Sequence, residues 1–125
     1  MKLTAICENH LYQKAYTKGK RFVTPALAVY ILPDYKAGKL QKAHPQHVKV
    51  NRIGLTVSKK IGGAVTRSRI RRILREAYYE VNRNTPLKVG FLVVLVAREK
   101  ATSMKSTELA QQLHFAMKRL DMILP

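Results

Sequence analysis

Between Tyr35 and Arg75 the chain carries twelve cationic side chains (Lys36, Lys39, Lys42, Lys49, Arg52, Lys59, Lys60, Arg67, Arg69, Arg71, Arg72 and Arg75) and not one carboxylate. A segment this one-sided cannot neutralise itself, so its fold must present the charge to solvent or to an anionic partner. The bias extends to the whole chain, where 24 Lys and Arg against 7 Asp and Glu leave +17 over 125 residues. That length suits one domain, 1–125, and a hydrophobic content of 46% is enough to build a core. Cys7 is alone, which excludes an internal disulfide and makes a reducing compartment, the cytoplasm, the expected location. The longest apolar run, Val89 to Ala97, is far short of the roughly 20 residues that span a bilayer. A polyanion is therefore the expected partner, nucleic acid foremost. An anionic membrane surface would need a basic amphipathic helix whose apolar stripe is free.

The periodicities predict three helices and a small sheet. Leu11 and Ala15, with Tyr12 and Tyr16, fall at helical spacings over about Asn9–Thr17, closed by Gly19 in a C′ role. Ala26–Leu32 is a short apolar run stopped by Pro33-Asp34, as expected of a buried strand. Residues 34–51 lack periodicity and predict an exposed basic loop. Ile53, Leu55 and Val57 alternate with Gly54, Thr56 and Ser58, a strand with one buried face and one lined by small groups on which something can lie. Phe91–Ala97 is almost continuously apolar and reads as a central strand. A last helix, capped by Ser103 or Ser106 and running to about Met122, aligns Leu109, Leu113, Ala116, Met117 and Leu120. The expected architecture is an α/β (α+β) sandwich, about four strands in a mixed sheet packed with three helices, in the order α-β-β-β-α-β-α.

The helix from about Ala64 to Asn82 is the most informative. Ile70, Ile73, Leu74, Ala77 and Val81 form its apolar stripe. Arg67, Arg71 and Arg75 stand at successive i+4 positions, with Arg72 three residues before Arg75 and Arg69 further round. Like charges at these spacings cost a few tenths of a kcal/mol per pair, on the order of 1 kcal/mol for three pairs. Glu76 is the first acid on the helix and is expected to pair with Arg72 at i+4. A ligand is expected to supply the missing negative charge, and planar guanidinium groups suit phosphate oxygens and bases. Gly62-Gly63 ahead of the helix allows close approach of a phosphate to the backbone, or is simply a tight strand-to-helix turn. The seven acids are scattered, and His10, His44, His47 and His114 have no partner at a catalytic or metal-binding spacing, so neither a catalytic residue nor a metal ligand is expected on the protein.

The run Lys59-Lys60-Ile61-Gly62-Gly63-Ala64-Val65-Thr66-Arg67-Ser68-Arg69-Ile70-Arg71-Arg72-Ile73-Leu74-Arg75-Glu76 closely resembles the signature of the bacterial ribonuclease P protein subunit. Tyr12–Gly19, Ala28-Val29-Tyr30 and Arg52–Ser58 resemble the family's first helix, second strand and the strand before the signature. The resemblance implies a ribonucleoprotein that removes the 5′ leader of precursor tRNA, with hydrolysis carried out by the RNA subunit and Mg²⁺ bound mainly by that RNA. It implies that Lys59, Lys60, Arg67, Ser68, Arg69, Arg71, Arg72 and Arg75 face the catalytic RNA subunit. Tyr12, Tyr16 and Tyr30 would line a cleft for the single-stranded leader, with Lys14, Lys18 and Arg21 contacting its phosphates. A monomer in the holoenzyme and a left-handed β-α-β crossover are implied as well, against the right-handed form of about 98% of such connections.

Four positions depart from the family pattern: Ser68 and Gly63 stand where Asn is usual, and Tyr12 and Tyr16 replace the commoner Phe. Independently of the resemblance, rings beside cations suit single-stranded nucleic acid, since a base stacked on an aromatic contributes about 1–3 kcal/mol whatever its identity. The alternative reading is a ribosomal protein or RNA chaperone without an enzymatic role.

Overall fold

The computed structural model describes residues 4–36, 39, 43 and 50–124. Its elements, in chain order, are β1 (Thr4–Ala5), α1 (Asn9–Lys18), β2 (Lys20–Val23), β3 (Leu27–Pro33), β4 (Arg52–Thr56), α2 (Ala64–Asn84), β5 (Phe91–Ala97) and α3 (Ser106–Arg119). Short 3₁₀ turns lie at Lys59–Ile61 and Glu99–Ser103. The five strands lie in the order β1-β4-β5-β3-β2. β1, β4 and β5 run parallel, and β3 is antiparallel to both β5 and β2. The sheet is thus mixed and the three helices are as expected, but there are five strands rather than about four. β1 and β2, for which the sequence pattern gave no range, sit at the sheet edges, where a short or half-exposed strand has little hydrophobic pattern. Lys20 and Arg21 lie on β2, directly after α1.

Alternation along β4 and β5 sorts the core onto two faces. Ile53, Val93 and Leu95, with Val29 and Ile31 of β3, meet Ile70, Leu74, Leu109, Leu113 and Met117 of α2 and α3. Leu92, Val94 and Leu32 point the other way and pack with Ile6 and with Ala15 of α1. β5 is apolar throughout because both of its faces are covered. The stripe of α2 is buried under the sheet and along α3, so it offers no free face to a membrane. No helix among the described residues is long and apolar enough to cross one.

Several local expectations need correction. Gly19 is extended (φ −76°, ψ 157°) rather than left-handed, and a Cβ there would sit 2.5 Å from the Ala15 carbonyl oxygen and 2.9 Å from that of Ile31. Glycine is needed there because α1 turns straight into β2 against two carbonyls. The N-cap of α3 is Lys105, whose backbone N–H donates to Glu108 Oε1 at 3.1 Å, while Ser103 Oγ donates to the Lys100 carbonyl. Of the 34–51 stretch, Tyr35, Lys36, Lys39 and Ala43 are helical rather than loop, and residues 37, 38, 40–42 and 44–49 lie outside the described residues.

Candidate nucleic-acid interface

The face of the sheet toward α1 carries the row Gly54–Val94–Tyr30–Arg21 across β4, β5, β3 and β2. Gly54 is where Tyr12 lies down on the strand: a Cβ there would be 2.6–2.8 Å from three atoms of the Tyr12 ring and hydroxyl. One turn along α1, the Tyr16 and Thr56 hydroxyls share a hydrogen bond of 2.9 Å. The Tyr16 ring meets Tyr30 edge to face, centroids 5.0 Å apart and planes at 75°. Burial, with Tyr16 and Cys7 nearby, pushes the Tyr12 hydroxyl above its ordinary range, so it stays protonated and neutral. The small groups noticed at Gly54 and Thr56 are therefore the seats of two tyrosines. Tyr12, Tyr16, Tyr30 and Arg21 share this face, and Lys18 is exposed at the end of α1. Lys14 borders the same face further along, where Leu32 and Leu92 line a hollow. Its ammonium lies 5.0 Å from the centroid of the Tyr35 ring, in a hollow beside Glu8 and Asp34.

On α2, Ser68, Arg72 and Arg75 are exposed, and Arg67 and Arg71 are half-buried. Lys59 and Lys60 are exposed on the 3₁₀ turn that Ser58 caps through Lys60 N–H. None of Arg67, Arg71, Arg72 and Arg75 pairs with a carboxylate among the described residues, where the ion pairs are Lys36–Glu8, Arg52–Glu8, Arg52–Asp34 and Lys88–Asp121. The expected Arg72–Glu76 pair is therefore not formed; both side chains remain in water, where such a pair is worth only a few tenths of a kcal/mol. Arg67 Nε is buried without a hydrogen-bond partner.

Two of the arginines are committed elsewhere. Arg69 Nη1 and Nη2 donate to the Thr102 and Met104 carbonyls at 3.1 and 3.3 Å, tying α2 to the turn before α3. Arg52 donates through Nε and Nη2 to both oxygens of Asp34, at 2.7 and 3.0 Å, and through Nη1 to Glu8 at 2.8 Å. The paired carboxylates hold the Arg52 guanidinium far above even the ordinary arginine range. The remaining arginine flank reaches the aromatic face: Arg71 and Arg75 line one cavity together with Tyr12. Sequence reasoning missed Tyr79 in that cavity, whose only signal was its position one turn beyond Arg75.

A flank of unpaired guanidinium groups beside an aromatic-floored sheet face, on a mixed α+β scaffold, defines a small basic protein built to hold RNA. The sequence profile of the Ribonuclease P family matches residues 2–121. The ribonuclease P protein component of Clostridioides difficile (strain 630) is 31% identical over 110 residues, covering 88% of this chain and 85% of the relative. That of Alkaliphilus oremlandii (strain OhILAs) is 31% identical over 116 residues, 93% of this chain and 90% of the relative. In fold, the Staphylococcus aureus RNase P protein superposes with a TM-score of 0.75 at 24% identity, covering 98% of this chain and all of that one. The chain belongs to the family of ribonuclease P protein components, the protein subunits of an endoribonuclease acting on tRNA precursors.

Proposed function

We propose that this chain binds the catalytic RNA subunit of ribonuclease P through α2 and the single-stranded 5′ leader of precursor tRNA through the α1 face, acting as one protein copy per holoenzyme in the cytoplasm. The observation that carries this reading is that Arg67, Arg71, Arg72 and Arg75 share a helix with no carboxylate partner among the described residues, next to a face floored by Tyr12, Tyr16 and Tyr30. Lys59, Lys60 and Ser68 extend the contact to the RNA subunit, and Lys18 and Arg21 flank the leader. Arg69 is held by two backbone carbonyls in the free chain, and Lys14 borders the same α1 face beside Tyr35.

The hydrolytic step belongs to the RNA subunit and the Mg²⁺ it holds. The carboxylates of Glu8 and Asp34 are taken up by Arg52. The direct test is reconstitution: added to the matching catalytic RNA at low Mg²⁺, the protein should raise precursor cleavage well above the RNA-alone rate. Site-specific leader removal by RNA-free protein, or no stimulation, would overturn the assignment.

The leader face makes a separate prediction. Tyr16→Ala removes the ring that meets Tyr30 and the hydroxyl bonded to Thr56. It should shrink the affinity advantage of leader-bearing precursor over mature tRNA by about 5- to 150-fold while leaving assembly with the RNA subunit intact. Titrating both tRNAs against the holoenzyme checks this, and equal loss for the two ligands would argue against a leader cleft.

A further inference from the structure

β1 covers only the first part of β4. Thr4 and Ala5 pair with Arg52 and Ile53, the Ile6 N–H donates to the Ile53 carbonyl at 3.1 Å, and the strand pairing ends there. Alternate residues of a strand aim both backbone groups at the same edge, so Leu55 turns its N–H and C=O outward, as Ile53 does, into a stretch of edge that β1 does not reach. An uncovered edge is usually a liability, and here it opens into a cavity of about 330 Å³. Ala5, Ile53 and Leu55 form its apolar part. Tyr12 and Tyr79 bring rings to its wall, and Arg71 and Arg75 bring guanidinium groups that no carboxylate neutralises among the described residues.

We propose that this cavity takes one unstacked nucleotide of a structured RNA, its base against the tyrosines and the open β4 edge and its phosphate on Arg71 and Arg75. Each component of a nucleotide has a counterpart. A base needs an apolar or aromatic surface for its face and an adjacent donor and acceptor for its Watson–Crick edge, which Leu55 N–H and C=O supply without favouring one base. A phosphate needs cations that are not already paired. A protein strand added to the same edge would also bond to Leu55, but it would have no use for two guanidinium groups, and charge complementarity therefore favours RNA. This inference rests on the RNA-subunit reading of α2 and adds to it. It makes the arginine flank a reader of a base pulled out of the helical stack as well as a phosphate clamp. It also joins that site to the leader face, because Tyr12 belongs to both.

Ala5 is exposed and outside the core, so Ala5→Phe fills the cavity without removing an arginine or a tyrosine. Titrated against the matching catalytic RNA over a series of salt concentrations, Ala5→Phe should bind about 5- to 150-fold more weakly than the native chain. Its salt slope should be unchanged, because the phosphate contacts survive. Tyr79→Ala should lose affinity likewise and Tyr79→Phe should keep it, with circular dichroism confirming that each variant is folded. Native affinity in folded Ala5→Phe and Tyr79→Ala would overturn the proposal and leave the open edge to a protein strand. The two levels of the argument fail separately: if the native chain does not bind or stimulate the RNA subunit, the broader reading falls, whereas normal stimulation with an indifferent Ala5→Phe removes only the nucleotide pocket.

Discussion

Asp34→Ala should lower stability by about 3 kcal/mol and the thermal midpoint by about 12 °C, the largest loss expected from any single polar substitution in the chain. Asp34 is almost wholly enclosed, its side chain 4% exposed, and it takes two of the guanidinium hydrogen bonds of Arg52, which is itself 11% exposed. Removing the carboxylate leaves a buried cation with only Glu8, which is 30% exposed and reaches one nitrogen. Breaking a buried pair from one side typically costs 3–5 kcal/mol, and the surviving Glu8 contact places this case at the lower end. Asp34 also accepts the Lys36 N–H at 3.2 Å, so its loss frees the chain just after β3. The pH dependence has a definite sign. A base whose pKa is raised on folding contributes stability that is full below its unfolded pKa and is lost only above it. For Arg52 that loss lies beyond any accessible alkaline pH. Glu8→Ala, which removes the more exposed partner, should cost about 1 kcal/mol. Replacing both members, as Arg52→Met with Asp34→Leu, should recover most of the stability. Thermal melts of the four proteins decide the matter, and an unchanged midpoint for Asp34→Ala would show that Arg52 does not depend on it.

That cluster also shows where sequence reading stops. In the sequence Arg52 is one cation among twelve and Asp34 is part of a turn signal. Their pairing joins the end of β3 to the start of β4 across 18 positions, and no local pattern records it. By contrast α2, β5 and α3 were legible because their burial is one-sided or complete, which leaves a strong periodicity or an unbroken apolar run. β1 and β2 were not, because two edge residues carry no period and Lys20-Arg21-Phe22-Val23 is mostly exposed. The site divides in the same way. The arginine flank follows from helical spacing alone, and the small residues at Gly54 and Thr56 announced that something rests on β4. Which tyrosine rests there depends on how α1 lies on the sheet, and that Tyr79 and Leu55 border the same hollow as Arg71 and Arg75 depends on how α2 crosses its edge, both tertiary facts.

Arg69 was legible in principle. At i+2 from Arg67 it lies about 200° round the helix from that residue, beyond Arg72 at the edge of the flank, and there it meets the Thr102 and Met104 carbonyls. This difference supplies the control for the second large effect. Arg67→Ala/Arg71→Ala/Arg75→Ala should weaken binding to the RNA subunit on the order of 10³-fold, three charge-assisted contacts at about 1.5 kcal/mol each. Each arginine on a phosphate contributes about 0.7–0.9 to the slope of log affinity against log salt, so the triple variant should lose about 2–3 units of slope. Between 50 and 200 mM salt its affinity should then fall about 20- to 40-fold less than that of the native chain. Arg69→Ala should do the reverse: the slope stays native, because no phosphate contact is lost, while the thermal midpoint drops as the turn before α3 loses its tether. Both measurements are needed, because a merely destabilised protein and a protein stripped of phosphate contacts both bind less RNA, but only the second changes its response to salt. A native slope in the triple variant would mean that the flank does not lie on the RNA backbone, and a reduced slope in Arg69→Ala would mean that this arginine leaves its carbonyls for a phosphate when the complex forms.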